Sequence, residues 1–396
     1  MKYVVVIPDG ASDYPLDELD GKTPLQVART PNLDQLADQG TVGLARTIPE
    51  GMPPGSDVGN LSVFGYDPRR HYTGRGPIEA ASMGIPLNQR DVVYRCNLVS
   101  TDGECLLDYS AGHISTEEAR ALIQFLDERL GARRFSFYPG VSYRHVMVWR
   151  DGDPDQRCVP PHDIVGQPIE PNLPQGTGEG LLASLIWNSL EILDGHEINR
   201  RRRDQGHLPA NMIWPWGQGF SPSLPSFAAQ YGVTGAVVAA VDLVRGIGKL
   251  AGLRVVDVPG ATGYLDTNYE GKGLAAVEAL QDVDLVVVHV EAPDEAGHKG
   301  DVEAKIDAIE RIDRYVVGTV REGLRRLQVP ARILVMPDHP TPIPLRTHCA
   351  DPVPFLVWDS EEQAGGRHLP FDERAFGEGL SVRDGHSLMG LLIHGR

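Results

Sequence analysis

The sequence predicts an α/β fold in which helices cover both faces of a mostly parallel sheet, with a smaller α+β domain inserted into it. Short, apolar, β-branched runs recur along the chain and alternate with segments of helical periodicity, which is typical of α/β proteins. The region after residue 88 instead carries two strand-like runs, one well-capped helix and a proline-rich connector. This change of pattern indicates a separate, smaller domain.

Six runs are predicted to be strands of the main sheet. Near-continuous apolarity over four to eight residues suits strands that are buried on both faces. The runs are residues 3–7, 236–241, 254–258, 285–290, 332–336 and 353–358. Between them, Thr30 followed by Pro31 is predicted to open a helix that ends at Gly40. Asp301 is predicted to cap a longer helix whose apolar positions recur at three- and four-residue steps as far as Val320.

The domain boundaries follow from where these patterns change. We predict a first core segment at 1–88, an inserted domain at 89–185 and a second core segment at 186–396. Within the insert, strand-like residues 92–98 and 142–149 flank a helix opened by Ser115 with Glu118 three residues later, the capping-box pattern. A connector rich in proline follows.

The composition excludes several classes of protein. The 396-residue chain is 41% hydrophobic, which is enough for a sizeable core and excludes a largely disordered protein. The formal net charge of −17 opposes nucleic acid as a partner. No apolar run is long enough to cross a membrane. Because the four cysteines show no paired spacing, we expect a reduced, cytoplasmic protein.

Aspartate and histidine side chains recur just after the predicted strands, at the edge where open α/β sheets bind ligands. Taken singly, each has an ordinary explanation as a turn aspartate or a surface histidine. Together they form a mixed oxygen and nitrogen set that suits Mn²⁺, Zn²⁺ or Co²⁺, and six ligands fit two ions better than one. The set is Asp9, Asp294, His298, Asp338, His339 and His348.

Ser56 is the candidate nucleophile. It follows Pro54 and Gly55 and precedes a helix-like segment at 58–64. The N-terminus of a helix favours an anion, and a nearby cation makes a hydroxyl easier to deprotonate. Serine is also a common helix N-cap, and the local sequence leaves both roles open.

With these residues in view, the chain resembles the cofactor-independent (2,3-bisphosphoglycerate-independent) phosphoglycerate mutases of the archaeal type, within the alkaline phosphatase superfamily. The resemblance extends over nearly the full length. The matching segments are Pro8-Asp9-Gly10, residues 22–26, 30–34, 54–68, 74–80 and 209–219, Asp294-Glu-Ala-Gly-His298, Asp338-His339 and His348.

The resemblance implies an alkaline-phosphatase-like fold whose inserted domain closes as a lid. It further implies two divalent cations, Mn²⁺ foremost with Zn²⁺, Co²⁺ or Mg²⁺ as alternatives, and no 2,3-bisphosphoglycerate. Ser56 would take the phosphoryl group from 3-phosphoglycerate and return it to the other hydroxyl. The implied ligands are Asp294, His298 and His348 for one metal, and Asp9, Ser56, Asp338 and His339 for the other.

The implied substrate is a small phosphorylated hydroxy acid, which a mutase must hold while it reorients and protect from water. Cationic contacts are expected from His113, Arg144, Arg203, Lys249 and Arg75, because the guanidinium fork binds two oxygens at once. Whether the protein is a monomer or a homo-oligomer stays open.

Two segments bear on the choice of substrate. Residues 137–145 and 337–348 look most like a subgroup of the family that has been proposed to act as homoserine kinases. The alternative function is therefore a phosphotransferase acting on homoserine or another small hydroxy acid, or a metal-dependent phosphomonoesterase. A non-catalytic metal-binding protein is a third hypothesis, against which the density of metal-type residues argues.

Overall fold

The computed structural model describes residues 1–131, 134–362, 369–375 and 377–395. The chain divides into two compact units, one formed by Met1–Tyr72 with Ser223–Arg396 and the other by Thr73–Pro222. Among the described residues, no helix combines the length and apolarity that a bilayer crossing needs.

The described residues form fifteen strands. They are β1 Lys2–Pro8, β2 Thr41–Ala45, β3 Val92–Thr101, β4 Leu106–Asp108, β5 Phe135–Tyr138, β6 Arg144–Trp149, β7 Gln156–Arg157, β8 Gln175–Gly176, β9 Met212–Phe220, β10 Gly235–Val238, β11 Arg254–Val256, β12 Leu285–Val290, β13 Ala331–Val335, β14 Val353–Asp359 and β15 Leu380–Val382.

The same residues form fifteen α-helices, together with four short 3₁₀ segments at Asp17–Leu19, Pro161–Ile164, Glu170–Asn172 and Glu373–Ala375. The α-helices are α1 Pro24–Val27, α2 Pro31–Gln39, α3 Ser56–Val63, α4 Pro68–His71, α5 Arg75–Met83, α6 Thr116–Leu130, α7 Glu179–Leu193, α8 Glu197–Asp204, α9 Phe227–Tyr231, α10 Asp242–Leu250, α11 Tyr269–Ala279, α12 Ala292–Lys299, α13 Val302–Arg311, α14 Gly318–Leu327 and α15 Ser387–His394.

The first unit is built on an eight-stranded sheet in the order β11-β10-β12-β1-β13-β14-β2-β15. Strand β14 runs antiparallel to both of its neighbours, and the remaining pairs are parallel. The middle strand β1 is buried from Tyr3 to Pro8 because its valine-rich sequence packs on both faces. The predicted α/β fold with a mostly parallel sheet is confirmed, and all six predicted strands are present.

Helix α2 forms as predicted, but its N-terminus is satisfied in a different way. The side chain of Thr30 makes no capping hydrogen bond. Instead, the carboxylate of Asp313 accepts hydrogen bonds from the backbone N–H of Asn32 at 3.2 Å and of Leu33 at 2.7 Å. Asp313 lies in a π-helical segment, Ile312–Val317, that joins α13 to α14. The carboxylate of Asp313, far along the chain, thus satisfies N–H groups at the start of α2 in place of the side chain of Thr30, the N-cap residue.

The second unit carries a five-stranded sheet in the order β4-β3-β6-β5, with β9 paired to β3. All of its pairs are antiparallel. Its boundaries at 72/73 and 222/223 differ from the predicted 88/89 and 185/186. The difference arises because β9 lies far along the chain yet pairs with β3 over most of its length, and α5 packs against both strands.

Candidate active site

Three neighbouring parallel strands end at the same edge of the main sheet. Strand β1 leads into Asp9, β12 leads into α12, and β13 leads into the loop that carries Asp338. The parallel register aligns these ends, so residues far apart in sequence meet there. The structure brings together all seven residues predicted to surround two cations, namely Asp9, Ser56, Asp294, His298, Asp338, His339 and His348.

One group contains Asp294, His298 and His348. Pro293 lies in the first turn of α12, and the four-residue spacing places Asp294 and His298 on one helix face. Nε2 of His298 lies 3.0 Å from Nε2 of His348 and 3.3 Å from Oδ2 of Asp294. Nε2 of His348 lies 3.4 Å from Oδ1 of Asp294. Two imidazole nitrogens and one carboxylate therefore converge on one point.

The other group contains Asp9, Asp338, His339 and Ser56. Nε2 of His339 lies 3.0 Å from Oγ of Ser56, 3.4 Å from Oδ2 of Asp338 and 3.7 Å from Oδ1 of Asp9. Asp9, Asp338 and His339 are fully buried. The two groups adjoin, since the rings of His339 and His348 are 4.1 Å apart between centroids.

The carboxylates of this site oppose one another electrostatically. Burial, followed by the charge of Asp338, raises the pKa of Asp9 well above its ordinary value. Burial likewise raises the pKa of Asp338 to about 7. Burial would also raise the pKa of Asp294, but the hydrogen bonds from His298 and His348 lower it well below its usual range. Like charges at this density call for compensating positive charge.

The donor set fits divalent cations. Oδ1 of Asp9 and Oε2 of Glu291 are buried and make no hydrogen bond, although buried carboxylate oxygens are normally paired. Imidazole and carboxylate donors together suit borderline metals such as Mn²⁺ and Zn²⁺. Unpaired oxygens, clustered carboxylates and converging imidazoles are what a cation would satisfy.

Neighbouring side chains fix the ligand atoms in place. Nδ2 of Asn60 donates to Oδ2 of Asp338 at 2.7 Å and to the carbonyl oxygen of Ser56 at 2.9 Å, so one amide links Ser56 to the loop that carries Asp338. Oγ1 of Thr341 donates to Oδ1 of Asp294 at 2.5 Å and lies 3.2 Å from Nδ1 of His339. These contacts hold the groups as a second layer around the site.

Helix α3, which begins at the candidate nucleophile Ser56, approaches the loop that carries Asp338 very closely. A β-carbon on Gly59 would lie 2.4 Å from the carbonyl oxygen of Asp338, so only glycine fits there. The N-cap of α3 is Gly55, and Ser56 is its first helical residue. Ser56 therefore does not use its side chain as an N-cap, and Oγ faces His339 instead.

Two residues at this edge were missed in the sequence. His289 lies in β12 with its Nε2 2.7 Å from Oδ2 of Asp9, and Glu291 follows the end of the strand with Oε2 3.6 Å from the same nitrogen. A histidine inside an otherwise apolar strand, followed two residues later by a glutamate and then by Pro293, was the available signal.

In the second unit, Arg75 and Arg144 belong to one cationic cluster around Glu79. Nε of Arg75 lies 2.9 Å from Oε1 of Glu79, and Nη1 of Arg95 lies 2.8 Å from the same oxygen. Burial would raise the pKa of Glu79, but the charges of Arg95 and Arg75 lower it, and Arg144 adds to the effect. Arg95, which was not predicted, also lies over the ring of Trp216.

The remaining predicted substrate contacts lie elsewhere. His113 is exposed and its ring meets that of Tyr143 edge-on, and Arg144 lies over the same tyrosine. Arg203 forms an ion pair with Asp194 beside a surface cavity of about 660 Å³. Lys249 is exposed near the end of α10 in the first unit.

The fold and the candidate site are those expected of a metal-dependent α/β enzyme with its reaction centre at the carboxyl edge of the sheet. Comparison with known proteins is more specific. The family model for 2,3-bisphosphoglycerate-independent phosphoglycerate mutase matches residues 37–199. The chain is 54% identical to a probable mutase of that name from Geobacter sulfurreducens, covering 99% of this chain and 100% of that protein. It is 52% identical to the mutase from Methanothrix thermoacetophila, with both chains fully covered.

Solved structures agree with the sequence comparison. A protein from Pyrococcus horikoshii has a TM-score of 0.83 and 32% identity, covering 99% of this chain and 96% of that one. The cofactor-independent phosphoglycerate mutase from Thermoplasma acidophilum has a TM-score of 0.68 and 28% identity, covering 100% and 99%. The chain belongs to the 2,3-bisphosphoglycerate-independent phosphoglycerate mutase family, as the resemblance in its sequence predicted.

Proposed function

We propose that the protein interconverts 3-phosphoglycerate and 2-phosphoglycerate through a phosphorylated Ser56, with two divalent cations held by the seven residues named above. The observation that carries this proposal is the placement of Ser56 Oγ at the N-terminus of α3, 3.0 Å from Nε2 of His339. A hydroxyl there meets both a cluster of cation ligands and the positive end of a helix.

The reaction needs one bond exchange, carried out twice. Oγ of Ser56 forms a bond to phosphorus and gives up its proton, while the bond between phosphorus and oxygen 3 breaks and that oxygen leaves as a hydroxyl. The glycerate turns, and oxygen 2 takes the phosphoryl group by the reverse exchange. When bound, the cations would ease deprotonation of the serine and neutralise charge on the phosphoryl oxygens. Mn²⁺ is our choice of ion.

The protein's own residues supply position and exclude water. Asn60 holds the backbone of Ser56 against Asp338, which keeps the attacking oxygen in line. We propose that the second unit acts as the lid and that Arg75 and Arg144 contact the substrate's carboxylate or phosphate. Arg95 shares Glu79 with Arg75, so it would set the position of that guanidinium.

The test compares two serines of the same helix. Ser56→Ala is expected to abolish formation of 2-phosphoglycerate from 3-phosphoglycerate in Mn²⁺ and to remove any phosphoserine found by mass spectrometry after acid quenching. Ser62→Ala is the control, because Ser62 is also buried on α3 but donates to the carbonyl oxygen of Thr47. Full activity in Ser56→Ala would contradict the proposal. Release of phosphate without isomer would identify a phosphomonoesterase, and phosphorylation of homoserine would identify a kinase.

A further inference from the structure

The proposed reaction leaves His289 and Glu291 without a role. Both lie beside Asp9, and His289 has no exposed surface. Because Asp9, His289 and Glu291 each place one ligand atom within 4.8 Å of the others, they could form an additional cation site. The alternative is that His289 acts on Asp9 through a hydrogen bond.

The second nitrogen of each imidazole distinguishes these roles. A histidine that ligates a metal almost always donates its other ring N–H to an acceptor. Nδ1 of His298 lies 3.0 Å from the carbonyl oxygen of Arg346, and Nδ1 of His339 lies 3.2 Å from Oγ1 of Thr341. Nδ1 of His289 is buried and has no hydrogen-bond partner. His289 therefore lacks the support that His298 and His339 have.

The proton of His289 can be placed by the same argument. A neutral imidazole carries one N–H, on either Nδ1 or Nε2. A proton on Nδ1 would bury an unsatisfied donor, which is costly. A proton on Nε2 lies 2.7 Å from an acceptor, Oδ2 of Asp9. The hydrogen-bond pattern thus requires the Nε2–H form.

We propose that His289 is a positioning residue, which donates its Nε2–H to Oδ2 of Asp9 and keeps Oδ1 turned toward the cation that Asp338 and His339 would share. This inference rests on the proposed metal centre. Oδ1 of Asp9 is the oxygen without a partner, and it lies on the side of His339. One oxygen is held by the protein and the other is free to ligate.

Lys272 completes the arrangement and makes a third cation unnecessary. It is almost fully buried in α11, and its ammonium donates to the carbonyl oxygen of His289 at 3.0 Å. Burial lowers the pKa of Lys272 to about 8, against the opposing effect of Glu291. An ammonium fixed in this position supplies positive charge to Glu291 where a further ion would otherwise be needed. We therefore expect no third cation beside Glu291.

The test uses two variants of His289 that differ in how far the side-chain amide extends from the backbone. The amide nitrogen of glutamine occupies the place of Nε2, whereas that of asparagine lies near Nδ1, so His289→Gln keeps the hydrogen bond to Asp9 and His289→Asn loses it. Chelated full-length protein is titrated with Mn²⁺ by calorimetry, and bound metal is counted by elemental analysis. Val288→Ala on the same strand is the control for a general loss of packing.

We expect two ions per chain in the natural protein. His289→Asn should bind one of them about 10–100-fold more weakly, as other second-layer variants do, with the other unchanged. His289→Gln should bind both normally. Three ions in the natural protein and two in His289→Gln would make His289 a ligand and overturn the inference. So would equal weakening of both ions in His289→Asn, or a failure of glutamine to restore binding. Absence of Mn²⁺ binding in every form would refute the metal centre itself.

Discussion

Removing the cations should lower the free energy of unfolding of the first unit by a measurable amount, to which each of the two proposed cation sites contributes. Four carboxylates meet at the sheet edge, from Asp9, Glu291, Asp294 and Asp338, and the first and last are fully buried. A cation that binds only the folded protein adds about 2.7 kcal/mol at a concentration of 100 times its Kd. Two such sites add roughly 5 kcal/mol. At roughly 2–4 °C per kcal/mol for a domain of this size, Tm should rise by about 10–20 °C.

The assay is thermal unfolding of chelated and Mn²⁺-loaded protein at pH 8. This pH is chosen because Asp338, whose pKa burial raises to about 7, is then ionised in the chelated protein. When the pKa of a carboxyl is raised in the folded state, the protein loses stability as pH rises from the pKa of the unfolded chain to that of the folded protein. The difference between chelated and loaded protein is therefore largest above pH 7.

Asp338→Asn tests how much of the rise in Tm comes from each of the two groups of proposed ligands. It removes a charged ligand from the group of Asp9 and His339 but leaves Asp294, His298 and His348 intact, so the rise in Tm should fall to about half. Asp67→Asn is the matched control, because Asp67 caps α4 and is not part of the site. An equal rise in the natural protein and in Asp338→Asn, or no rise in either, would refute the reasoning.

Three further predictions concern protons and one helix cap. Burial lowers the pKa of His298 but Asp294 raises it to about 9, so Mn²⁺ loading at pH 7 should release at least one proton, measured by calorimetry in two buffers; zero release would contradict this. Asp313→Ala leaves the N–H groups of Asn32 and Leu33 unpaired and should cost about 2–5 kcal/mol in urea unfolding, whereas a loss below about 0.5 kcal/mol would show that water replaces the carboxylate. Burial lowers the pKa of His145 to about 3, so the unfolded chain binds more protons below pH 6.5 and stability should fall by up to about 1.4 kcal/mol per pH unit on acidification. His145→Asn should reduce that slope by up to the same amount, and an unchanged slope would argue against it.

The strands of the main sheet and the residues at their ends were predictable because both depend on local sequence. Apolar runs such as that of β12 leave little alternative to a strand buried on both faces. Asp9 and Asp338 follow such runs directly, and parallel pairing of β1 with β13 brings them together. The meeting of these residues at one edge of the sheet could therefore be inferred without coordinates.

Features that depend on distant pairing were not predictable in the same way. The assignment of β9 to the second unit depends on its register with β3, more than a hundred residues earlier. Asp313 replaces Thr30 at the start of α2 because a π-helical turn directs its carboxylate there. In the sequence, Arg95 is one polar residue inside a predicted strand. Only its ion pair with Glu79 shows that it belongs to the same cluster as Arg75 and Arg144.

The absence of a side chain at Gly59 sets the distance between α3, which carries Ser56, and the loop that carries Asp338. Any larger residue would have to push α3 away from the Asp338 loop, because the obstruction is backbone rather than a movable side chain. Such a shift would move Oγ of Ser56 away from His339. It would leave the side chains of Asp294, His298 and His348 in place. In the proposed mechanism, Gly59→Ala would therefore weaken phosphoryl transfer by Ser56 more than it weakens binding of the cation at Asp294, His298 and His348.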